Sequence, residues 1–124
     1  MSLLLDTHAF VWWRAQDRRL GEAACRAIAD AERIFVSAAS AWEAAIKISK
    51  GKLKLPEPFE QGAKESGFGH LAITFDHAQG VIDLPWLHRD PFDRMLIAQA
   101  RFEGLTIVTA DGIFSAYGIP VIAT

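Results

Sequence analysis

An α/β fold of βαβ units around a parallel sheet is what this sequence predicts, and three observations predict it. Short, almost wholly apolar runs recur from one end to the other, as strands buried on both faces require. Stretches with helical periodicity separate them, the alternation expected of βαβ units and not of a helical bundle. The 124 residues are 51% hydrophobic with a mean hydropathy of +0.14, enough to bury one substantial core, so residues 1–124 read as a single domain.

The strands are predicted at 2–5, 33–36, 70–73, 105–108 and 120–122, each a run rich in Leu, Ile, Val or Phe. Helices are expected between them at 9–14, 21–31, 38–50, 59–66, 75–84 and 91–103. Asp90-Pro91 marks one helix start, because Asp caps and Pro suits the first helical position. Leu55-Pro56-Glu57-Pro58 breaks a connection, while Gly104 and Gly118 stand where a left-handed residue closes a helix. Trp42 with Ile46, and Phe92 with Leu96 and Ala100, form stripes at helical spacing that read as core. Trp12 and Trp13 are adjacent and cannot point the same way, so one of them is expected on a groove or interface.

Thirteen basic residues against fifteen acidic ones, a net charge of -2, argue against a protein that coats polyanions generally. The one basic cluster, Lys47 to Lys54, has a bland reading as cations at a helix C-terminus and a functional one as a phosphate contact. A lone cysteine, Cys25, builds neither a disulfide framework nor a cysteine metal site. No apolar run approaches the ~20 residues of a membrane span and no secretory leader is visible, so a soluble, cytoplasmic protein is expected.

The informative residues are four acids far apart in sequence. Asp6 closes the first apolar run and Asp111 follows the fourth, where open α/β sheets bind ligands; Glu43 lies in a helix and Asp93 in the first turn of another. Each has a structural explanation: Asp6 caps the following helix, Glu43 pairs with Lys47, Asp93 favours its helix N-terminus, and Asp111-Gly112 makes a turn. Together they suit a divalent cation, because carboxylates within ~4 Å repel by a few kcal/mol even at an effective dielectric near 20. Oxygen ligation favours Mg²⁺ or Mn²⁺ over zinc, and such a cluster serves phosphodiester hydrolysis. His8 and His88 adjoin Asp6 and Asp93 and are read as structural hydrogen-bonders, not ligands. No nucleophile elbow, Walker A sequence or dinucleotide fingerprint is present.

Leu5-Asp6-Thr7-His8, Ser40-Ala41-Trp42-Glu43 with Ile46-Lys47, His88-Arg89-Asp90-Pro91-Phe92-Asp93-Arg94, and Val108-Thr109-Ala110-Asp111 occur in the order and spacing of a PIN-domain ribonuclease. More narrowly, the chain resembles the VapC-type toxins of toxin–antitoxin pairs, over nearly its whole length. The resemblance implies a three-layer α/β/α sandwich with a central, mostly parallel sheet, and Mg²⁺- or Mn²⁺-dependent endonucleolytic cleavage of RNA. It carries the family's four acids onto Asp6, Glu43, Asp93 and Asp111 as catalytic and metal-binding residues. Thr7 and Thr109 would orient those carboxylates, Asp90 would cap, and Lys47, Lys50 and Arg94 would contact phosphates. It also implies homodimers and a cognate VapB-type antitoxin lying along a groove near Trp12, Trp13 and the Glu43 helix.

Two rivals differ in chemistry. A haloacid-dehalogenase-type phosphatase also begins with a strand and Asp, but its second Asp would fall at His8, leaving the nucleophile without its acid partner. An inactive RNA-binding or protein-interaction module would keep the fold and bind metal without cleavage.

Overall fold

The structure, a computed structural model, describes all 124 residues. The strands are β1 (Ser2–Leu5), β2 (Arg33–Ser37), β3 (Gly69–Leu71), β4 (Thr106–Thr109) and β5 (Val121–Ala123); the helices are α1 (Thr7–Ala15), α2 (Glu22–Asp30), α3 (Ala38–Ser49), α4 (Phe59–Glu65), α5 (Phe75–Gly80) and α6 (Pro91–Glu103). All four strand pairings are parallel, in the order β3-β2-β1-β4-β5. No helix is long and apolar enough to cross a membrane.

Alternation along the central strands divides the interior into two cores. Leu3 and Leu5 face one side with Phe10, Leu20, Ile28, Val36 and Val108. Leu4 and Ile107 face the other with Leu96, Ile97 and Phe114. Successive side chains point to opposite faces of a strand, so near-continuous apolar runs are what a sheet covered on both sides needs. Because β1 is central and the chain reverses direction across the sheet after it, the ends of β1 and β4 open a crevice where their connections diverge.

Several local expectations change. The helix expected over 75–84 is the short α5 followed by a 3-10 turn, Val81–Asp83; Leu84 is extended (ψ 132°), as a residue before proline prefers. The third strand ends at Leu71 and not Ile73, and the Ala72 carbonyl accepts a hydrogen bond from Gln99 Nε2 at 3.3 Å instead of continuing a ladder. Gln99 is fully buried and its Oε1 accepts from Ser37 Oγ at 2.6 Å, so one amide ties α6 to β2 and to the chain leaving β3. Trp42, read as core, is 62% exposed and packs edge-on against Phe92, ring centroids 5.0 Å apart. Gly118 closes a 3-10 helix, Gly112–Tyr117, with φ +73°.

Candidate active site

Asp6 is the best-determined member of the acidic group. Its backbone amide donates to the Val108 carbonyl at 3.1 Å, so the residue leaves β1 still attached to β4. Oδ1 accepts from the Ala9 amide at 2.8 Å, capping α1 as the sequence suggested. Oδ2 accepts from Thr109 Oγ1 at 2.6 Å, and the same Thr109 oxygen accepts from the Asp111 amide at 3.0 Å. One hydroxyl therefore fixes both the Asp6 carboxylate and the turn that carries Asp111. Burial pushes the Asp6 carboxyl above its usual range, against the lowering effect of those hydrogen bonds, and the negative charge of Glu43 pushes it further.

Glu43 projects from α3, where Thr7 Oγ1 donates to its Oε1 at 2.6 Å and Lys47 Nζ lies 3.5 Å from Oε2. The local Glu43–Lys47 pairing exists together with the longer-range contact. Asp93 stands in the first turn of α6, whose N-cap is Asp90: Asp90 Oδ1 accepts the Asp93 amide at 2.9 Å, and Pro91 fills the first helical position. Burial lifts the Asp93 carboxyl from 3.8 to about 6, opposed by hydrogen bonding to His88 and reinforced by the charges of Asp90 and Glu43. Glu43 thus acts electrostatically on Asp6 and Asp93 alike, so three of the predicted acids lie in one field. Asp111 is exposed at the mouth and caps the following 3-10 helix through Oδ1.

His88, expected as a structural hydrogen-bonder, does bond to one of the acids. Its Nε2 lies 2.8 Å from Asp93 Oδ2 and 4.0 Å from Asp111 Oδ2, and these three ligand-capable atoms lie within 4.8 Å of one another. The clue in the sequence was a histidine just before the Asp-Pro cap, where a short loop returns towards the helix N-terminus. His8, by contrast, is exposed and stacks on Trp12.

Arg94 requires a correction. Expected on RNA phosphates, it is 3% exposed. Its guanidinium donates to the carbonyls of Pro85 (2.8 Å), Val81 and Leu84 (both 3.3 Å) and lies 3.9 Å from the Trp86 ring centroid. A planar fork saturated by backbone oxygens has no face left for phosphate; Arg94 pins the loop that carries His88. Lys50 is exposed, and Lys47 is half-buried beside Glu43.

The residues present fit a hard divalent cation. The buried Asp6 carboxyl and the half-buried Asp93 carboxyl, both held above their ordinary range, form with Glu43 a group that is unfavourable without compensation. Each carboxylate keeps acceptor capacity beyond the hydrogen bonds described. Asp6, Glu43 and Asp93, with Asp111 and His88 at the rim, supply a predominantly oxygen donor set.

The family model for the PIN domain matches residues 3–120. The chain belongs to the PIN-domain family. This PIN domain is 32% identical over 113 residues to Ribonuclease VapC22 of Mycobacterium tuberculosis, covering 89% of this chain and 87% of that protein. Among solved structures it superposes on VapBC2 from Rickettsia felis, bound to a DNA fragment from its promoter, with a TM-score of 0.71 at 16% identity over 99% of this chain and 98% of the other. It also superposes on M. tuberculosis VapC20, a Sarcin-Ricin loop cleaving toxin, with a TM-score of 0.64 at 19% identity over 98% and 99%. Likeness at such identities speaks for the fold, and the parallel α/β/α sandwich expected from the sequence is the one observed. PIN-domain nucleases of the VapC kind are metal-dependent, as the acidic cluster suits.

Proposed function

We propose that residues 1–124 form a single nuclease domain: an endoribonuclease toxin of a toxin–antitoxin pair, acting in the cytoplasm on RNA phosphodiester bonds with Mg²⁺ or Mn²⁺. The observation that carries the reading is the gathering of acids at the crevice beyond β1 and β4: Thr109 Oγ1 ties Asp6 to the turn that carries Asp111, and Asp111, Asp93 and His88 bring ligand-capable atoms within 4.8 Å of one another. Asp6, Glu43 and Asp93 are the proposed metal-binding and catalytic acids, joined by Asp111 at the mouth. When bound, the cation supplies activated water and neutralises charge on the phosphate. Thr109 and Thr7 each donate to one carboxylate oxygen, which aims the remaining lone pairs. Asp90 caps α6 and so holds Asp93 in its first turn. Lys47 and Lys50, at the C-terminal end of α3, offer positive charge to the RNA backbone.

The reading includes a VapB-type antitoxin. A cavity of about 720 Å³ lined by Trp12, Trp13, Leu20 and Cys25, among others, lies where α1 turns into α2 and supports docking of a partner segment there. It includes a homodimer too, for which the exposed Phe75 and Ile82 beside α5 offer apolar surface.

The test is incubation of antitoxin-free protein with a total RNA pool in Mg²⁺ or Mn²⁺, beside EDTA and Asp6→Ala and Asp93→Ala proteins. Discrete fragments that need metal and both carboxylates are expected. Intact RNA after incubation with folded, metal-loaded protein would overturn the activity and favour the binding-module alternative.

A further inference from the structure

An aromatic cleft of about 390 Å³, within the size range of ligand pockets, adjoins the acids; Trp42, Trp86, Arg89 and Phe92 are among the residues lining it. At three points its lining residue and a member of the acidic site are chain neighbours: Trp42 precedes Glu43 on α3, Phe92 precedes Asp93 on α6, and Arg89 follows His88 in the loop between them. Consecutive Cα atoms are 3.8 Å apart, so the cleft lies beside the site and is not a remote groove.

Trp42 and Trp86 are 62% and 78% exposed, high values for the largest apolar side chain. Neither hangs free. Trp42 rests edge-on against Phe92. Trp86 has the Arg94 guanidinium 3.9 Å from its ring centroid, and Arg94 is itself immobilised by the carbonyls of Val81, Leu84 and Pro85. One face of the Trp86 indole is therefore backed by a fixed cation while the other faces solvent. A ring held in place with an open face is what an unpaired nucleobase stacks on. The cleft itself is lined mainly by apolar side chains, with the exposed Arg89 on its wall and the acidic site beside it, a setting for a ligand whose flat apolar part is joined to a charged one.

We propose that Trp86 and Trp42 form a stacking subsite for an unpaired nucleobase beside the scissile phosphate, with Arg89 contacting that nucleotide, so that RNA enters here single-stranded. The identity of the ligand rests on the ribonuclease reading; the binding does not depend on turnover. The test measures equilibrium binding of a short labelled single-stranded oligoribonucleotide and of its duplex in Mg²⁺, using an Asp6→Asn background in which cleavage is blocked. Trp86→Ala and Trp42→Ala are each expected to weaken single-strand binding roughly 5- to 150-fold, from the usual worth of base–aromatic stacking. Duplex binding should change less than about twofold, and Trp86→Phe should restore most of the loss. Equal losses on single strand and duplex, or no loss in correctly folded variants, would overturn the subsite. So would sedimentation showing an RNA-free dimer that Trp86→Glu converts to monomers, which would assign the ring to a protein interface. Cleavage lost in Asp6→Ala with single-strand binding unaffected by either tryptophan would sink this inference alone; tryptophan-dependent binding without cleavage in the unsubstituted protein would sink the ribonuclease reading alone.

Discussion

Replacing Asp93 by Asn is expected to stabilise the metal-free protein at neutral and higher pH. The folded carboxyl is lifted from 3.8 to about 6. In acid below 3.8 the group is protonated in both folded and unfolded chains and contributes nothing. As pH rises through the interval, the unfolded chain releases a proton that the folded chain still holds, so stability falls; above about 6 the deficit is complete and constant. At 1.36 kcal/mol per pH unit the lift is worth about 3 kcal/mol, reduced to about 2 by the water that reaches the partly exposed side chain. Losing a negative charge in the first turn of α6 costs about 0.5 kcal/mol. Asp93→Asn should therefore gain about 1.5 kcal/mol near pH 8 and almost nothing near pH 4, by urea unfolding in EDTA. Metal should reverse the order: a cation at 100 times its dissociation constant stabilises the unsubstituted protein by about 2.7 kcal/mol, and the variant by less. A variant less stable than its parent at pH 8 in EDTA, or an identical response of the two to Mg²⁺ and Mn²⁺, would refute the placement of Asp93 in the cluster.

Arg94→Lys keeps the charge but cannot serve three carbonyls with a planar fork, so it should lose about 1–3 kcal/mol of stability in denaturant unfolding. Its RNA affinity should keep an unchanged salt slope, since Arg94 faces backbone carbonyls and not phosphate. Lys47→Glu should weaken RNA binding across sequences and reduce the magnitude of the salt slope by about one or more, read from affinity against log salt concentration; an unaltered slope would remove Lys47 from the interface.

The central strands were legible because burial on both faces leaves little but apolar residues, and Ser2 to Leu5 is such a run. Asp6 was legible for the complementary reason, that a charged residue ending such a run must find partners. What sequence could not supply was the direction of a helical stripe in space. Trp42 and Ile46 recur at the right interval, yet Trp42 is left largely exposed with Phe92 against its edge, which depends on how α3 packs against α6. Arg94 was misassigned because arginine is usually exposed, and its cage is built from carbonyls, which every residue carries and no sequence displays. The partner of His88 was not legible because the residue approaches Asp93 through a loop, where no helical or strand period announces a contact. The extended Leu84 could have been read from Pro85, which disfavours helix in the residue before it.

The hydrogen bond from Thr109 to Asp6 spans 103 residues, and this separation bears on when a toxic activity can arise during synthesis. Asp6 leaves the ribosome well before β4, which must lie beside β1 to hold it and is made only after all the intervening helices. Until then the earlier carboxylate has neither Thr109 nor the crevice that gives it direction. Closing so long a loop is also among the slower events of folding. The cell that makes this chain thus has the interval of its synthesis to provide a partner before the site can be assembled.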